Sequence, residues 1–251
     1  MSNLRVSEVY KNYGGLAALN GVSMEISVGE RRAIIGPNGA GKTTLLAIIS
    51  GETNPTAGAI YLGGKDITVL PSHVRANLGL GYTFQRSNLF ASLTVLENVS
   101  LAVQHHCGIS GHVFQSSSSF ESVTASAVST LQLVGLASVH KQLASYLAHG
   151  QQRALEVALA LATNPQVLLL DEPTSGMSPK ETEDMVSLIA ALPRTLTILI
   201  IEHDMGVVFR LAERITVMQY GQVISEGSPD EVRADPAVRA NYLGSVFEES
   251  L

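Results

Sequence analysis

Apolar residues run without alternation through Arg32 to Ile35, Val167 to Leu170 and Leu196 to Ile201. Strands covered on both faces read this way, and the helical patterns between them mark crossover helices around a largely parallel sheet. Residues 4 to 28 and 58 to 63 instead alternate polar and apolar positions between glycine-containing turns, which predicts a small antiparallel layer. From about Thr94 to Asn164 the pattern is mainly helical. It is interrupted at His105 to Ser119, where Gly, His and four consecutive serines predict a loop. After Asp204 come a helix, a strand at Arg214 to Gln219, a turn at Gly221, a second strand, and helical pieces opening at Pro229 and Pro236, where a first helical turn tolerates proline. The expectation is one α/β domain spanning 1–251, with a helical subdomain inserted at 86–164.

Composition narrows this picture. The mean hydropathy of +0.22 is high, but the longest apolar runs fall far short of the ~18 to 20 residues of a membrane-spanning helix. The first residues, Met1 to Glu8, carry no apolar stretch like that of a signal peptide. A single cysteine, Cys107, forms no internal disulfide and agrees with a reducing compartment. The formal net charge of -6 gives no basic field for nucleic acid.

Gly36-Pro37-Asn38-Gly39-Ala40-Gly41-Lys42-Thr43 matches G-x-x-x-x-G-K-[ST], after the apolar run Ala33-Ile34-Ile35 and before the apolar helix at Leu45 to Ile49. Glycines let successive amides converge on phosphate oxygens at the positive end of a helix, Lys42 adds a charge, and Thr43 offers a hydroxyl to Mg²⁺; Thr44 follows in the first helical turn. A chance match in a chain of this length comes to roughly one in a hundred. Val167-Leu168-Leu169-Leu170-Asp171-Glu172 puts two carboxylates where a buried strand stops, at the sheet edge from which the phosphate loop also springs. Asp171 can then hold Mg²⁺ and Glu172 can deprotonate a water. Alone, such a pair is more simply a polar cap on a strand; beside the phosphate loop the catalytic reading is the stronger.

A nucleotide kinase would share these features, so the class depends on Leu147-Ala148-His149-Gly150-Gln151-Gln152-Arg153, followed by a helical pattern, with Asp171 eighteen residues after Arg153. Here the sequence resembles the ATP-binding subunits of ABC transporters, over nearly its whole length and with six motifs in the family's order. The resemblance implies a P-loop NTPase with a RecA-like parallel core, and ATP and Mg²⁺ as ligands. It implies that Tyr13 stacks on adenine, that Gln85 is the catalytic-site glutamine between the helical subdomain and Mg²⁺, and that Leu147 to Gln151 is the signature segment. Ser175-Gly176-Met177-Ser178 would be the loop at the dimer contact and His203 the switch histidine. Taken singly, Tyr13, Gln85 and His203 would read as an ordinary edge aromatic, a surface glutamine and a surface or capping histidine.

The resemblance also implies head-to-tail pairing with a second similar ATPase or with a second copy, each ATP lying between one phosphate loop and the other chain's signature. The amides at the helix starting near Gly150 are expected to be unpaired and free for that γ-phosphate. Two positions depart from the commonest pattern: Ala148 stands where a serine hydroxyl is usual, and Ser178 where an aspartate is common. His105-His106-Cys107 with His112 fits no standard zinc spacing and reads as loop.

Ile201-Glu202-His203-Asp204-Met205, the form of the signature, and the tail from Gly227-Ser228-Pro229 through Tyr242-Leu243-Gly244 resemble the ATPases of branched-chain amino-acid, urea and short-amide importers. That subgroup implies two integral permeases, docking near Gln85 and the 86–125 stretch, an extracytoplasmic solute-binding protein, and a cytoplasmic place on the inner face of the membrane. The alternatives are an ATPase for lipid or lipopolysaccharide extraction, whose tail is similar, and a soluble ABC ATPase of translation or DNA repair, which usually carries two modules or long coiled coils.

Overall fold

A computed structural model describes residues 2–83, 89–108 and 117–238 of the chain. The chain opens with two long strands, β1 (Ser2–Tyr13) and β2 (Leu16–Ser27), then β3 (Arg31–Ile35) and helix α1 (Lys42–Ser50). Next come β4 (Ala57–Leu62), β5 (Lys65–Asp66), α2 (Ser72–Asn77) and β6 (Leu80–Thr83). Helices α3 (Val95–His106), α4 (Ser117–Leu133) and α5 (His149–Leu161) lie beyond β6, with two short 3-10 turns before α5. The chain continues as β7 (Val167–Asp171), α6 (Pro179–Ala191), β8 (Thr197–Ile201) and α7 (Met205–Leu211). It closes with β9 (Arg214–Gln219), β10 (Gln222–Gly227), α8 (Pro229–Ala234) and α9 (Pro236–Val238).

The strands form two sheets. One is six-stranded in the order β10-β9-β3-β8-β7-β6, parallel except for β10, and the other is antiparallel in the order β2-β1-β4-β5. The three apolar runs without alternation are central strands of the six-stranded sheet, and every residue of β3, β7 and β8 is buried. Successive side chains of a strand point to opposite faces. Val167, Leu169, Leu199 and Ile201 pack with α1 and the antiparallel sheet, whereas Leu168, Leu170, Ile198 and Ile200 pack with α5, α6 and α7. The result is three layers, with the crossover helices and the β-layer covering opposite faces.

Three local expectations change. β6 was not anticipated: it is a four-residue edge strand containing Gly81, too short to show a period, and its ladder to β7 defines it. The helix α3 runs on through His105 and His106, with Cys107 as its C-cap, so the expected loop starts later. The serine run also enters a helix, because Val123, Ala127 and Leu131 of α4 are buried against α3 and α5 and tertiary packing overrides serine's preference for caps.

Two buried arginines tie helix ends to the frame. Arg75 is fully buried and donates to Ile48 O and Ile49 O in the last turn of α1, at 2.6 and 2.8 Å, and to Thr68 O and Leu70 O at 2.8 and 2.7 Å. Burial lowers its pKa to about 10, so it remains a cation at neutral pH. Arg31 does the same for the end of α6, donating to Ala190 O and Leu192 O. Since an unpaired buried carbonyl costs ~1 to 3 kcal/mol, Arg75→Met is expected to lower the unfolding free energy by at least ~3 kcal/mol. The shift should appear in the urea midpoint at unchanged slope.

Candidate functional site

The register of the parallel ladder brings the motifs together. Ile34 of β3 pairs with Ile201 of β8, and Ile201 in turn with Asp171 of β7. Gly36, Glu172 and Glu202 therefore leave the sheet at the same edge, where ligands bind in sheets of this kind.

The loop from Gly36 to Gly41 is held from outside. Gly36 has φ 149° and Gly41 φ 98°; a side chain on Gly36 would collide with Met218 O, and one on Gly41 would come within 2.7 Å of Ala18 O. The β9–β10 turn braces it further. Gly221 N donates to Ala40 O at 3.0 Å, and Gly221 O accepts from Asn20 N at 2.8 Å. Lys42 lies along the loop, its Nζ donating to Gly36 O and Pro37 O at 2.6 and 3.1 Å. Burial lowers its pKa, opposed by the nearby Glu172 and Asp171 carboxylates. α1 begins at Lys42 with no side-chain cap, and Asn38, Gly39 and Thr43 are exposed. An uncapped helix start beside a buried cation fits a polyphosphate.

Asp171 is buried, and neither carboxylate oxygen has a hydrogen-bond partner. Burial, helped by Glu172 and Glu52, raises its pKa to about 6 against the pull of Lys42. A buried carboxylate with both oxygens free and an exposed threonine hydroxyl at Thr43 form an oxygen donor set that suits Mg²⁺. Glu172 comes next in the left-handed region, φ 46°, a conformation that glutamate seldom adopts and that concentrates at functional sites. His203 is exposed, in the turn between β8 and α7. Tyr13 ends β1 half-exposed, with the Lys11 ammonium 4.9 Å from its ring centre. Gln85 lies outside the described residues.

One residue behind this edge was not singled out from the sequence. Glu202 is fully buried and accepts three hydrogen bonds, from Thr174 N at 3.0 Å, Thr174 Oγ1 at 2.5 Å and His203 N at 3.1 Å. It ties the turn carrying His203 to the segment after Glu172. The signal in the sequence was an acidic residue ending an apolar strand, and its neighbour His203 drew the attention instead.

The segment Leu147-Ala148-His149-Gly150-Gln151 forms the entry to α5. Leu147 is buried, Ala148 is the N-cap and offers no side-chain bond, and Gln151 Oε1 accepts from Ala148 N at 3.2 Å. The amide of Gly150 is not free, contrary to expectation: it donates to Glu181 Oε1 of α6 at 3.0 Å. His149 Nε2 lies 3.4 Å from Ser175 O, so Ser175-Gly176-Met177-Ser178 and the start of α5 lie side by side within one chain. Ser178 caps α6, its hydroxyl donating to Glu181 Oε2 at 2.7 Å. Among the described residues no cluster of three or more His, Cys, Asp and Glu side chains is arranged for a metal; His112 lies outside them.

Comparison with known proteins agrees with this geometry. Residues 19–175 match the family described as ABC transporter, and residues 222–248 match the one described as branched-chain amino acid ATP-binding cassette transporter. The chain is 38% identical to the high-affinity branched-chain amino acid transport ATP-binding protein BraF of Pseudomonas aeruginosa, over 96% of this chain and 97% of that protein. It is 39% identical to LivG of Salmonella typhimurium, with the same coverage of each. It is 35% identical to the lipopolysaccharide export system ATP-binding protein LptB of Acidithiobacillus ferridurans, over 98% of both. Among solved structures, an ATP-binding cassette of an ABC transporter in its ADP conformation superposes with a TM-score of 0.83 at 30% identity, covering 98% of this chain and 100% of that one. A dimeric bacterial ABC transporter cassette gives 0.75 at 30% identity, over 90% and 98%. With its phosphate loop, its acidic strand end and its three-layer fold, the chain belongs to the ABC transporter family, as an ATP-binding and ATP-hydrolysing cassette that uses Mg²⁺.

Proposed function

We propose that this cassette powers import of branched-chain amino acids or related small solutes. The observation that carries the reading is the tail match at residues 222–248, beyond the shared ATPase core, together with the BraF and LivG relatives. In this reading the chain sits on the inner face of the membrane, paired head to tail with a second cassette or a second copy of itself. Two permeases, served by an extracytoplasmic binding protein, convert closure of the pair into alternating access. Among the described residues no helix is long and apolar enough to cross a membrane, in keeping with a peripheral subunit. In this reading 86–164 is an inserted subdomain, whose described part holds α3, α4 and α5, and the permeases dock near Gln85 and within 86–125. Between the subdomain's α5 and the α2–β6 region, a groove of about 320 Å³ lined by Ser72, His73, Tyr82, Glu156 and Leu159 is the surface offered to a permease's cytoplasmic helix. The likeness to LptB supports lipopolysaccharide extraction as a second reading, the weaker at 35% identity against 38% and 39% for BraF and LivG.

In the reaction, backbone amides from Asn38 to Thr44 and the Lys42 ammonium hold the phosphates, with Gly36, Pro37, Asn38, Gly39, Ala40 and Gly41 shaping the cradle. Tyr13 stacks on the adenine. Asp171 and the Thr43 hydroxyl, with Gln85, would hold Mg²⁺, which would supply positive charge against the phosphates. Glu172 takes the proton of the attacking water, and its backbone conformation aims the carboxylate off the strand. His203 donates to the γ-phosphate, and Leu147 to Gln151 with Ser175 to Ser178 meets the partner. On a chain of net charge -6 these groups supply the local attraction that the whole molecule lacks.

Mild-detergent capture of the tagged chain tests the assignment: two permeases and a second cassette support import, whereas lipopolysaccharide-export components, ribosomes or repair proteins overturn it. Glu172→Gln should bind ATP normally yet lose turnover by about 100-fold or more; retained turnover removes Glu172 as the base. Mg²⁺ with ATP should raise the melting temperature above ATP with chelator, because a ligand that binds only the folded state stabilises it. Asp171→Asn should abolish that difference, and a persistent difference would place the cation elsewhere.

A further inference from the structure

Both departures from the family pattern, Ala148 and Ser178, converge on one side chain. The N-cap of α5 carries no hydroxyl, so the first turn of that helix needs an acceptor from elsewhere. Glu181, in the first turn of α6, provides it. Its Oε1 accepts from Gly150 N at 3.0 Å while its Oε2 accepts from Ser178 N and Oγ at 3.0 and 2.7 Å. An aspartate at position 178 would set a like charge against this carboxylate; serine instead donates to it. Gly150 is fitted to the contact, since a Cβ there would lie 3.1 Å from Glu181 Cγ and 3.2 Å from its Oε1. Hydrogen bonds from Ser178, together with the weaker effect of the one from Gly150, hold the Glu181 pKa down at about 2, so it is an anion at any working pH.

We propose that Glu181 is a further residue of the ATP site, a built-in anion that occupies the signature amide of Gly150 and must yield it to the γ-phosphate brought by the partner cassette. The inference rests on the reading of Leu147 to Gln151 as the segment that meets the partner's ATP. One amide serves one anion at a time, so the fraction of cassettes with Gly150 released sets the apparent affinity for closure. The same carboxylate caps α6 through Ser178, so its release loosens the loop from Ser175 to Ser178 as the pair forms. Glu181 thereby sets the ATP concentration at which the two cassettes close, and does so without touching the phosphate loop of its own chain.

Glu181→Gln keeps the capping box while freeing the amide, because glutamine's single oxygen can still accept from Ser178 whereas its NH2 group, a donor, offers Gly150 N no acceptor. In the assembly captured with its permeases, ATP turnover is measured against ATP concentration. The half-saturating ATP concentration should fall about three- to tenfold with kcat within about twofold, at a melting temperature close to that of the unaltered chain. Gly150→Asp fixes a carboxylate at the same amide and should collapse turnover. If Gly150→Asp retains turnover, the signature reading falls and the role of Glu181 with it. If Gly150→Asp collapses turnover but Glu181→Gln leaves the half-saturating concentration unchanged or raises it, the role of Glu181 alone is overturned.

Discussion

The hydrogen-bonded register of β3, β8 and β7 is the constraint on which the rest depends. Because Ile34, Ile201 and Asp171 are ladder partners, residues more than 160 positions apart in sequence leave the sheet side by side. A slip of one residue in either ladder would turn every side chain of that strand to the other face. The two faces bury different partners, the β-layer with α1 on one side and α5 to α7 on the other, so burial enforces the register. The placement of the candidate site's groups is thus a consequence of the packing of Val, Leu and Ile well away from them.

That edge gathers negative charge. Asp171, Glu172 and Glu202 leave adjoining strands, Glu52 raises the pKa of Asp171 from nearby, and Lys42 is the cation that opposes them. Burial makes each charge more costly there than in water. Glu202 meets that cost with three donors, and Lys42 with loop carbonyls; Asp171 meets it with nothing but the electrostatic pull of Lys42. The Asp171 oxygens are therefore buried acceptors without a hydrogen-bond donor, and a bound cation would lower the cost of that charge.

The central strands were legible because their apolar runs lack alternation, and the phosphate loop because its glycines and lysine are contiguous. Asp171-Glu172 was legible for the same local reason. What could not be read were features settled by distant partners. β6 exists through its ladder with β7, α4 starts inside a serine run because α3 and α5 cover it, and Gly150 finds its acceptor thirty-one residues away at Glu181. Even a correctly located helix start gave the wrong answer about its free amides, since periodicity says where a helix begins and nothing about which neighbour closes its end. Glu202 and Thr174 illustrate the same limit: each sits at an unremarkable position until the fold sets the pair together.

The brace behind the phosphate loop is a two-residue hairpin turn, Tyr220 and Gly221, both with positive φ, at 48° and 75°. Gly221 is bonded to Ala40 on one side and to Asn20 on the other, so the turn is wedged between the phosphate loop and strand β2. A wedge of that kind transmits movement in both directions. The pieces beyond β10 are tied to the cradle a second way, with Val232 of α8 and Val238 of α9 packing in one cluster with Ala33 and Ile35 of β3, the strand that runs into Gly36. β10, α8 and α9 are consequently part of the wall behind the cradle and not an appendage to it.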